Sequence, residues 1–291
     1  MRPSLRRVPG RLAGVLVFGM TLLATSGSGP AADPAATGVP RVAGLVPGAN
    51  GVLTPSPSHP RALQVVALGD SVTSGAACAC AAFPAVYGRL LSRKSGVPVH
   101  VDNRGADGLD TAGLLQLLQQ DTDGAARAVG DADVILVTIG ANDFGDHHDE
   151  VTEGRCSRPA GGDCVSDELL GMRAGLDQIL STVRSLRGRR ATTVLVTGYW
   201  NVFEDGDVAR RSFPASGRAA TLGLTRRTNQ AVRLATLGQG ATYVGVLGPF
   251  HRDRPDISGL LAADGDHPNA MGHALLARVL LHAGLPPLVA R

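Results

Sequence analysis

The chain has 291 residues, of which 44% are hydrophobic and 18% are charged, and its formal net charge at pH 7 is +3. This composition supports a sizeable buried core and excludes a chain that is disordered throughout. Residues 1–32 contain four arginines and no acidic residue. The excess positive charge therefore belongs to that segment, and nothing in the remainder predicts a nucleic-acid partner.

Residues 1–32 have the pattern of a secretory signal peptide. Arginines between Arg2 and Arg11 are followed by an apolar stretch from Leu12 to Ala24, and then by small residues. An apolar stretch of about 13 residues is too short to span a bilayer core of about 30 Å comfortably. We therefore expect cleavage and secretion to the extracellular space, with no stable membrane anchor. The Arg6-Arg7 pair leaves twin-arginine export open beside the general route.

The rest of the chain divides into a linker and one domain. Residues 33–61 are rich in Gly, Pro, Ala and Ser, which is typical of a linker. Residues 62–291 alternate between short β-branched runs and helical patterns, and this alternation predicts a three-layer α/β/α domain with a mainly parallel sheet. The predicted strands are Leu63–Leu68, Val97–Val101, Val134–Ile139, Thr192–Thr197 and Thr242–Leu247.

Three helices are predicted from their periodicity and end signals. The clearest begins at Ser166, with two acidic residues in its first turn and apolar residues along one face. A second runs from about Leu224 to Leu237. The last begins at Pro268, a favoured first helical residue, and ends at Gly284.

The four cysteines are Cys78, Cys80, Cys156 and Cys164. An even number in an exported chain predicts two disulfides. A bond from Cys156 to Cys164 closes a short loop, whereas one from Cys78 to Cys80 forms a tight ring, so crossed pairing between the two clusters stays open. A zinc site made of four thiolates is the metal alternative, and the spacings fit it poorly.

A serine, a histidine and carboxylates occur in segments at opposite ends of the domain. Ser71 follows the first predicted strand in a Gly-Asp-Ser sequence, and His267 lies in an Asp-Gly-Asp-His-Pro sequence before the last helix. These groups can turn a hydroxyl into a nucleophile. We predict that Ser71 is the nucleophile, that His267 is the base, and that Asp264 orients the imidazole ring. Asp266 competes with Asp264 for that last role.

Two further segments have the chemistry of an oxyanion hole. Asn103-Arg104-Gly105 and Gly140-Ala141-Asn142-Asp143 follow the second and third predicted strands. The carboxyl ends of parallel strands meet at one edge of a sheet, so we expect these segments to converge on Ser71. The predicted donors are the backbone N–H groups of Ser71 and Gly105 and the side-chain amide of Asn142.

These segments resemble the signature blocks of the SGNH (GDSL) hydrolase family, and the resemblance spans roughly Arg61 to the C-terminus. The matching blocks are Gly69-Asp70-Ser71, Asn103-Arg104-Gly105 with Gly108 and Thr111, Gly140-Ala141-Asn142-Asp143, and Asp264-Gly265-Asp266-His267-Pro268. The resemblance implies a flavodoxin-like, five-stranded sheet and a site open to solvent. Secreted bacterial esterases and lipases are the most similar members. Many of those have six cysteines, so their disulfide pattern cannot be carried over.

The predicted function is a secreted serine esterase or lipase that hydrolyses carboxylic esters through an acyl-serine intermediate. The substrate is a small-molecule, lipid or acylated-glycan ester, and we expect a monomer with no cofactor and no metal. A carbohydrate O-acetyl esterase and an acyltransferase use the same site and remain alternatives. A non-catalytic binding protein is a further alternative, against which the intact set of site residues argues.

Two segments have a less specific pattern. Residues 143–164 form an acidic insertion that either overhangs the site or is a surface loop. Within it, His147-His148-Asp149-Glu150 is expected to be solvated rather than to hold a functional metal. The segment from Tyr199 to Phe203 contains the only tryptophan, and it either lines an acyl pocket or packs in the core.

Overall fold

The structure is a computed structural model that describes residues 61–156, 163–252 and 256–286. All of these belong to the unit Ser56–Arg291. The predicted signal peptide and all but the last residue of the predicted linker lie outside the described residues, so both stay predictions. Within the described ranges, no helix combines the length and the apolar character needed to cross a bilayer.

Five strands form one parallel sheet in the described part of the chain. In chain order they are β1 (Leu63–Gly69), β2 (Val99–Gly105), β3 (Val134–Thr138), β4 (Thr193–Thr197) and β5 (Thr242–Val244). Their order across the sheet is β2-β1-β3-β4-β5, and every neighbouring pair is parallel. The order reverses at β1, which leaves a crevice beyond the carboxyl ends of β1 and β3. The predicted flavodoxin-like parallel sheet is confirmed.

Helices connect the strands and cover both faces of the sheet. The α-helices are α1 (Ser71–Ser74), α2 (Phe83–Ser95), α3 (Thr111–Gln119), α4 (Ala125–Asp131), α5 (His148–Thr152), α6 (Ser166–Arg187), α7 (Gly206–Ser212), α8 (Ala215–Gly238), α9 (Leu247–His251) and α10 (Ala270–Ala283). Short 3-10 helices span Thr122–Gly124, Asn142–His147 and Ser258–Leu260.

Two apolar cores lie on opposite faces of the sheet. Alternate β1 side chains point to opposite faces, so Val66 and Leu68 pack with α3, α4, α6 and α8, whereas Val65 and Ala67 pack with α2, α9 and α10. All five residues of β3 are buried, because helices cover the sheet on both sides. This burial explains the continuous apolar sequence of β3, and the helices on both faces confirm the three-layer prediction.

The two ends of the domain meet where α10 packs on α2. His273 of α10 is fully buried, and its Nδ1 accepts a hydrogen bond from the Phe83 N–H at the start of α2, at 3.2 Å. Burial lowers the pKa of His273 to about 4. The imidazole is therefore neutral at physiological pH and serves as a packing group.

Some element boundaries differ from the prediction. Helix α8 begins at Ala215, well before Leu224, in a stretch of small residues that lacks apolar periodicity. Helix α10 begins at Ala270 rather than Pro268, because the Asn269 side chain accepts hydrogen bonds from the first free N–H groups of the helix. Side-chain capping, rather than a proline at the first position, fixes this start.

The cysteines pair within each cluster. The structure contains disulfides between Cys78 and Cys80 and between Cys156 and Cys164. Crossed pairing and a four-thiolate zinc site are therefore both contradicted, since each sulfur is bonded to the other cysteine of its own cluster. The first bond lies in the loop between α1 and α2, and the second closes the segment that precedes α6.

Peptide mapping without reduction tests this pairing. Trypsin cuts after Arg61, Arg89, Arg155 and Arg173, so Ala62–Arg89 and Cys156–Arg173 each contain one complete pair. We expect each peptide to appear separately and to gain two hydrogens on reduction, as measured by mass spectrometry. A species that joins the two peptides would show crossed pairing instead.

Candidate active site

The turn after β1 explains the Gly-Asp-Ser sequence locally. A Cβ on Gly69 would lie 2.0 Å from the Thr138 carbonyl oxygen, and the φ of Gly69 is +152°, so no side chain fits there. The Asp70 carboxylate accepts a hydrogen bond from the Val72 N–H at 3.0 Å and caps α1. Ser71 is the first residue of that helix, and its N–H therefore has no intrahelical acceptor.

Asp70 is buried beneath the nucleophile segment, and its second carboxylate oxygen contacts a tyrosine. The Tyr199 hydroxyl donates a hydrogen bond to Asp70 Oδ2 at 2.5 Å. Burial raises the pKa of Asp70 to about 7, although the hydrogen bonds from Tyr199 and Val72 favour the ionised form. Burial also raises the pKa of Tyr199 well above its usual value, so its hydroxyl keeps its proton.

The predicted base and its carboxylate are in direct contact. His267 Nδ1 lies 2.8 Å from Asp264 Oδ2 and 3.8 Å from Asp266 Oδ2. Asp264 Oδ1 also accepts the backbone N–H groups of Asp266 and His267, at 3.0 and 3.1 Å. Although burial opposes it, the hydrogen bond from His267 and these N–H groups hold the pKa of Asp264 below its usual range. The geometry favours Asp264 over Asp266 as the group that orients the ring.

The serine and histidine segments meet on one side of the molecule. Asp266, which directly precedes His267, lines the same cleft as Ser71. In the described part of the chain, no hydrogen bond joins the Ser71 hydroxyl to the His267 ring. Catalytic hydrogen bonds are often long until substrate binds. The missing bond therefore does not exclude Ser71 and His267 as partners in catalysis.

A cleft of about 300 Å³ lies beside Ser71. Its walls come from the turns after β1, β3 and β4 and from the Asp266 segment. The lining residues are Asp70, Ser71, Val72, Ala141, Asn142, Gly145, His148, Tyr199, Trp200, Asn201, Val202, Phe203 and Asp266. The segment from Tyr199 to Phe203 is buried and also forms part of the cleft wall. The two roles predicted as alternatives, pocket lining and core packing, are therefore both present.

Asn142 has one amide hydrogen in use and one available. Its Nδ2 donates to the Leu109 carbonyl at 2.8 Å, which fixes the orientation of the amide. An amide nitrogen carries two hydrogens, so the second can serve a ligand in the cleft. The next residue, Asp143, accepts hydrogen bonds from the N–H and hydroxyl of Thr111, which fastens this turn to the start of α3.

Gly105 packs against α1, and its backbone N–H is already used in a hydrogen bond. A Cβ on Gly105 would lie 2.2 Å from the Ser74 nitrogen, and the Gly105 N–H donates to Asn103 Oδ1 at 3.1 Å. Three residues further on, Gly108 has a φ of +74° and open space where a Cβ would lie. Gly108 directly precedes Leu109, whose carbonyl holds the Asn142 amide. Sequence reasoning singled out Gly105 as the donor, and only the loop geometry draws attention to Gly108.

The insertion after Asn142 carries two histidines that are bonded to carboxylates. His147 contacts Glu150 at 2.8 Å and Glu168 at 2.9 Å, and these hydrogen bonds raise its pKa. His148 contacts Glu204 at 2.9 Å through Nε2 and lines the cleft. Part of the insertion therefore forms a wall of the cleft, as the overhanging alternative predicts. The other ring nitrogen of His148 contacts the adjacent Asp149 at 3.0 Å. The Glu204 partner comes from a distant loop, and no local pattern in the sequence predicts it.

The buried carboxyl of Asp70 makes the stability of the fold pH-dependent. Since its pKa rises from 3.8 to about 7 on folding, its contribution to stability is complete below pH 4 and is lost as the pH rises to 7. Asp70→Asn cannot ionise, so the melting temperature of the variant relative to wild type should be a few degrees more favourable at pH 8 than at pH 5. Thermal unfolding at the two pH values measures this difference.

Asp256→Asn provides the control, because the hydrogen bond from Arg210 holds the pKa of this exposed carboxyl below its usual range. Its effect on the melting temperature should be the same at both pH values. An Asp70→Asn effect that is equally independent of pH would contradict a raised pKa for Asp70.

Comparisons with known proteins agree with the sequence blocks. Residues 67–275 match the model of the GDSL-like lipase/acylhydrolase family, whereas no curated protein matches the chain. A lipase from a goat rumen metagenome is 20% identical with a TM-score of 0.58, and the match covers 77% of this chain and 99% of that one.

Two further solved structures have the same fold. Phospholipase A1 from Streptomyces albidoflavus is 21% identical with a TM-score of 0.57, over 77% of this chain and all (100%) of that one. An acetylxylan esterase from Geobacillus stearothermophilus is 17% identical with a TM-score of 0.52, over 76% and 93% of the two chains. At these identities the likeness concerns the fold. The family model spans most of the chain, and the chain therefore belongs to the GDSL-like lipase/acylhydrolase family.

Proposed function

We propose that this protein is a secreted serine hydrolase that cleaves carboxylic esters through an acyl-serine intermediate. The observation that carries the proposal is the His267–Asp264 pair, with a distance of 2.8 Å, beside the cleft that Ser71 and Asn142 line. Membership of the family supports the hydrolase class, and the substrate and the residue roles are part of the proposal.

In the proposed mechanism, the Asp264–His267 hydrogen bond fixes the proton of the ring on Nδ1 and leaves Nε2 as the base. As the Ser71 oxygen attacks the ester carbonyl carbon, its proton passes to Nε2. His267 then gives that proton to the leaving alcohol. Water repeats the attack on the acyl-serine and restores the free enzyme.

The oxyanion of the tetrahedral intermediate needs N–H donors that do not bring a charge. Ser71 supplies a backbone N–H at the first turn of α1, and Asn142 supplies the unused hydrogen of its amide. Gly105 was predicted from the sequence as the remaining donor. The Gly105 N–H already donates to Asn103, so we infer that the donor is the N–H of Gly108, which directly precedes the residue whose carbonyl holds the Asn142 amide.

The cleft supports a substrate with a modest acyl chain and a polar portion. Trp200, Val202 and Phe203 offer apolar contacts. The amides of Asn142 and Asn201 each have one hydrogen in use and a second that can serve a ligand. The polar wall keeps a carbohydrate O-acetyl esterase as the second candidate beside an esterase or lipase. A chain-length series of p-nitrophenyl esters assayed beside acetylated xylan separates the two, and product analysis with excess acceptor alcohol detects acyl transfer.

The proposed location is extracellular, with cleavage after the signal peptide in residues 1–32 and a linker in residues 33–61. Two disulfides are typical of an oxidising compartment and support this location. A monomer that needs no cofactor remains the expectation from the sequence.

Removal of the Ser71 hydroxyl tests the nucleophile. Ser71→Ala should lower kcat on a p-nitrophenyl ester by roughly 10⁴- to 10⁶-fold with folding intact, since the acyl-enzyme cannot form. Circular dichroism checks the fold, and a fluorophosphonate probe should label wild type but not the variant. Activity above about a tenth of wild type would mean that the nucleophile is misassigned.

The two aspartates near the base give a matched pair. Asp264→Asn should lower kcat by roughly 10³- to 10⁴-fold, because the ring loses the acceptor that selects its tautomer. Asp266→Asn, with its oxygen 3.8 Å from the ring nitrogen, should lower kcat by less than about tenfold. If the larger loss belongs to Asp266→Asn, the roles of the two carboxylates are reversed.

A further inference from the structure

One hydroxyl group joins the nucleophile segment to the asparagine segment. The Tyr199 hydroxyl donates to Asp70 Oδ2 at 2.5 Å and accepts the Ala141 N–H at 3.2 Å. Asp70 directly precedes Ser71, and Ala141 directly precedes Asn142. Tyr199 thus links the two segments on either side of the β1–β3 crevice from a third element, the turn after β4.

A side chain of α8 holds the backbone of Tyr199 through two hydrogen bonds. Asn229 of α8 accepts the Tyr199 N–H at 2.7 Å and donates to the Tyr199 carbonyl at 2.9 Å. A Cβ on Gly198 would lie 2.4 Å from Asn229 Oδ1, so this glycine permits the close approach of the amide. The backbone of Tyr199 is therefore fixed by a helix that contributes no residue to the cleft.

The hydrogen bond from the hydroxyl to Asp70 is buried, and the one from the Ala141 N–H is partly buried. Tyr199 and Asp70 are each 1% exposed. Asp70 also caps α1 through its other oxygen, so a shift of its carboxylate would move the helix that begins with Ser71. In such surroundings, removal of the hydroxyl leaves a carboxylate oxygen and a backbone N–H without their partners.

We propose that Tyr199 is a positioning residue that holds Ser71 and Asn142 at the separation needed by the transition state. This inference rests on the proposed function. Tyr199 acts through Asp70 and Ala141, and its hydroxyl takes no part in proton transfer. A misplacement of about 1 Å between reacting groups can cost about 10²-fold in rate. The loss should appear in kcat rather than KM, since ground-state binding does not use the aligned donors.

Tyr199→Phe removes the hydroxyl and keeps the ring. We expect kcat on a p-nitrophenyl ester to fall roughly 10- to 100-fold while KM stays within about threefold, measured well below the melting temperature of the variant. Tyr87→Phe is the matched control, because the Tyr87 hydroxyl is also buried but has no hydrogen-bond partner among the described residues. Its kcat should equal that of wild type.

A double-mutant cycle with Asn142→Ala distinguishes positioning from a general loss of stability. If Tyr199 acts through the Asn142 segment, the loss in kcat from Tyr199→Phe should be much smaller in the Asn142→Ala background than in wild type. A Tyr199→Phe variant that melts earlier but keeps the wild-type kcat would overturn the inference, and so would fully additive losses in the cycle.

Two further variants keep the test decisive. If Tyr199→Phe does not fold, Asn229→Ala, which frees the tyrosine backbone, should lower kcat with little change in KM, and a normal kcat would overturn the inference. Ser71→Ala is assayed in parallel. Activity in Ser71→Ala would contradict the proposed function itself. An inactive Ser71→Ala together with a Tyr199→Phe variant of wild-type kcat would contradict only the positioning role.

Discussion

The contact between Gly69 and the Thr138 carbonyl is the constraint on which the site depends. It brings the last residue of β1 so close to β3 that only a hydrogen fits between the two chains. The same carbonyl oxygen accepts the Asp70 N–H at 3.1 Å, so the chain leaves the sheet in one direction only. Ser71 follows within one residue. The register of two neighbouring strands therefore sets the place of the candidate nucleophile.

Two carboxyl groups near the candidate nucleophile are desolvated, and ionisation of a desolvated carboxyl group opposes folding. Asp70 is buried with a pKa of about 7, and desolvation also raises the pKa of Asp266 to about 6. Residues selected for stability alone would not be arranged in this way. The apolar cores on both faces of the sheet offset this unfavourable electrostatic contribution. At the candidate site, the desolvated carboxyl groups that accompany the proposed chemistry lower the local stability of the fold.

Most of the architecture was predictable from the sequence, because β1, β3 and β4 have nearly continuous apolar sequences and polar segments follow β1 and β3 directly. The second strand was predicted too early, since Asn103-Arg104-Gly105 forms the end of β2 rather than the turn after it. The Asp264–His267 contact was also predictable, since a separation of three residues brings the two side chains together in a tight turn.

The unpredicted features depend on tertiary contacts that no local pattern records. Tyr199 contacts Asp70 across 129 positions in the chain, and His148 contacts Glu204 across 56. The start of α8 was missed because small residues there pack without apolar periodicity. The donor role of Gly105 was inferred from its type, whereas the hydrogen bond from its N–H to Asn103 became visible only in the folded loop.

The docking of α10 on α2 has a consequence for how the protein can fail. His267 lies just before α10, near the C-terminal end of the chain, while Ser71 lies just before the loop that leads into α2. The two helices contact each other through Phe83 and the neutral His273. We infer that detachment of α10 would separate base from nucleophile while the central strands stay paired. Heat would then abolish turnover at an earlier stage than the loss of secondary structure.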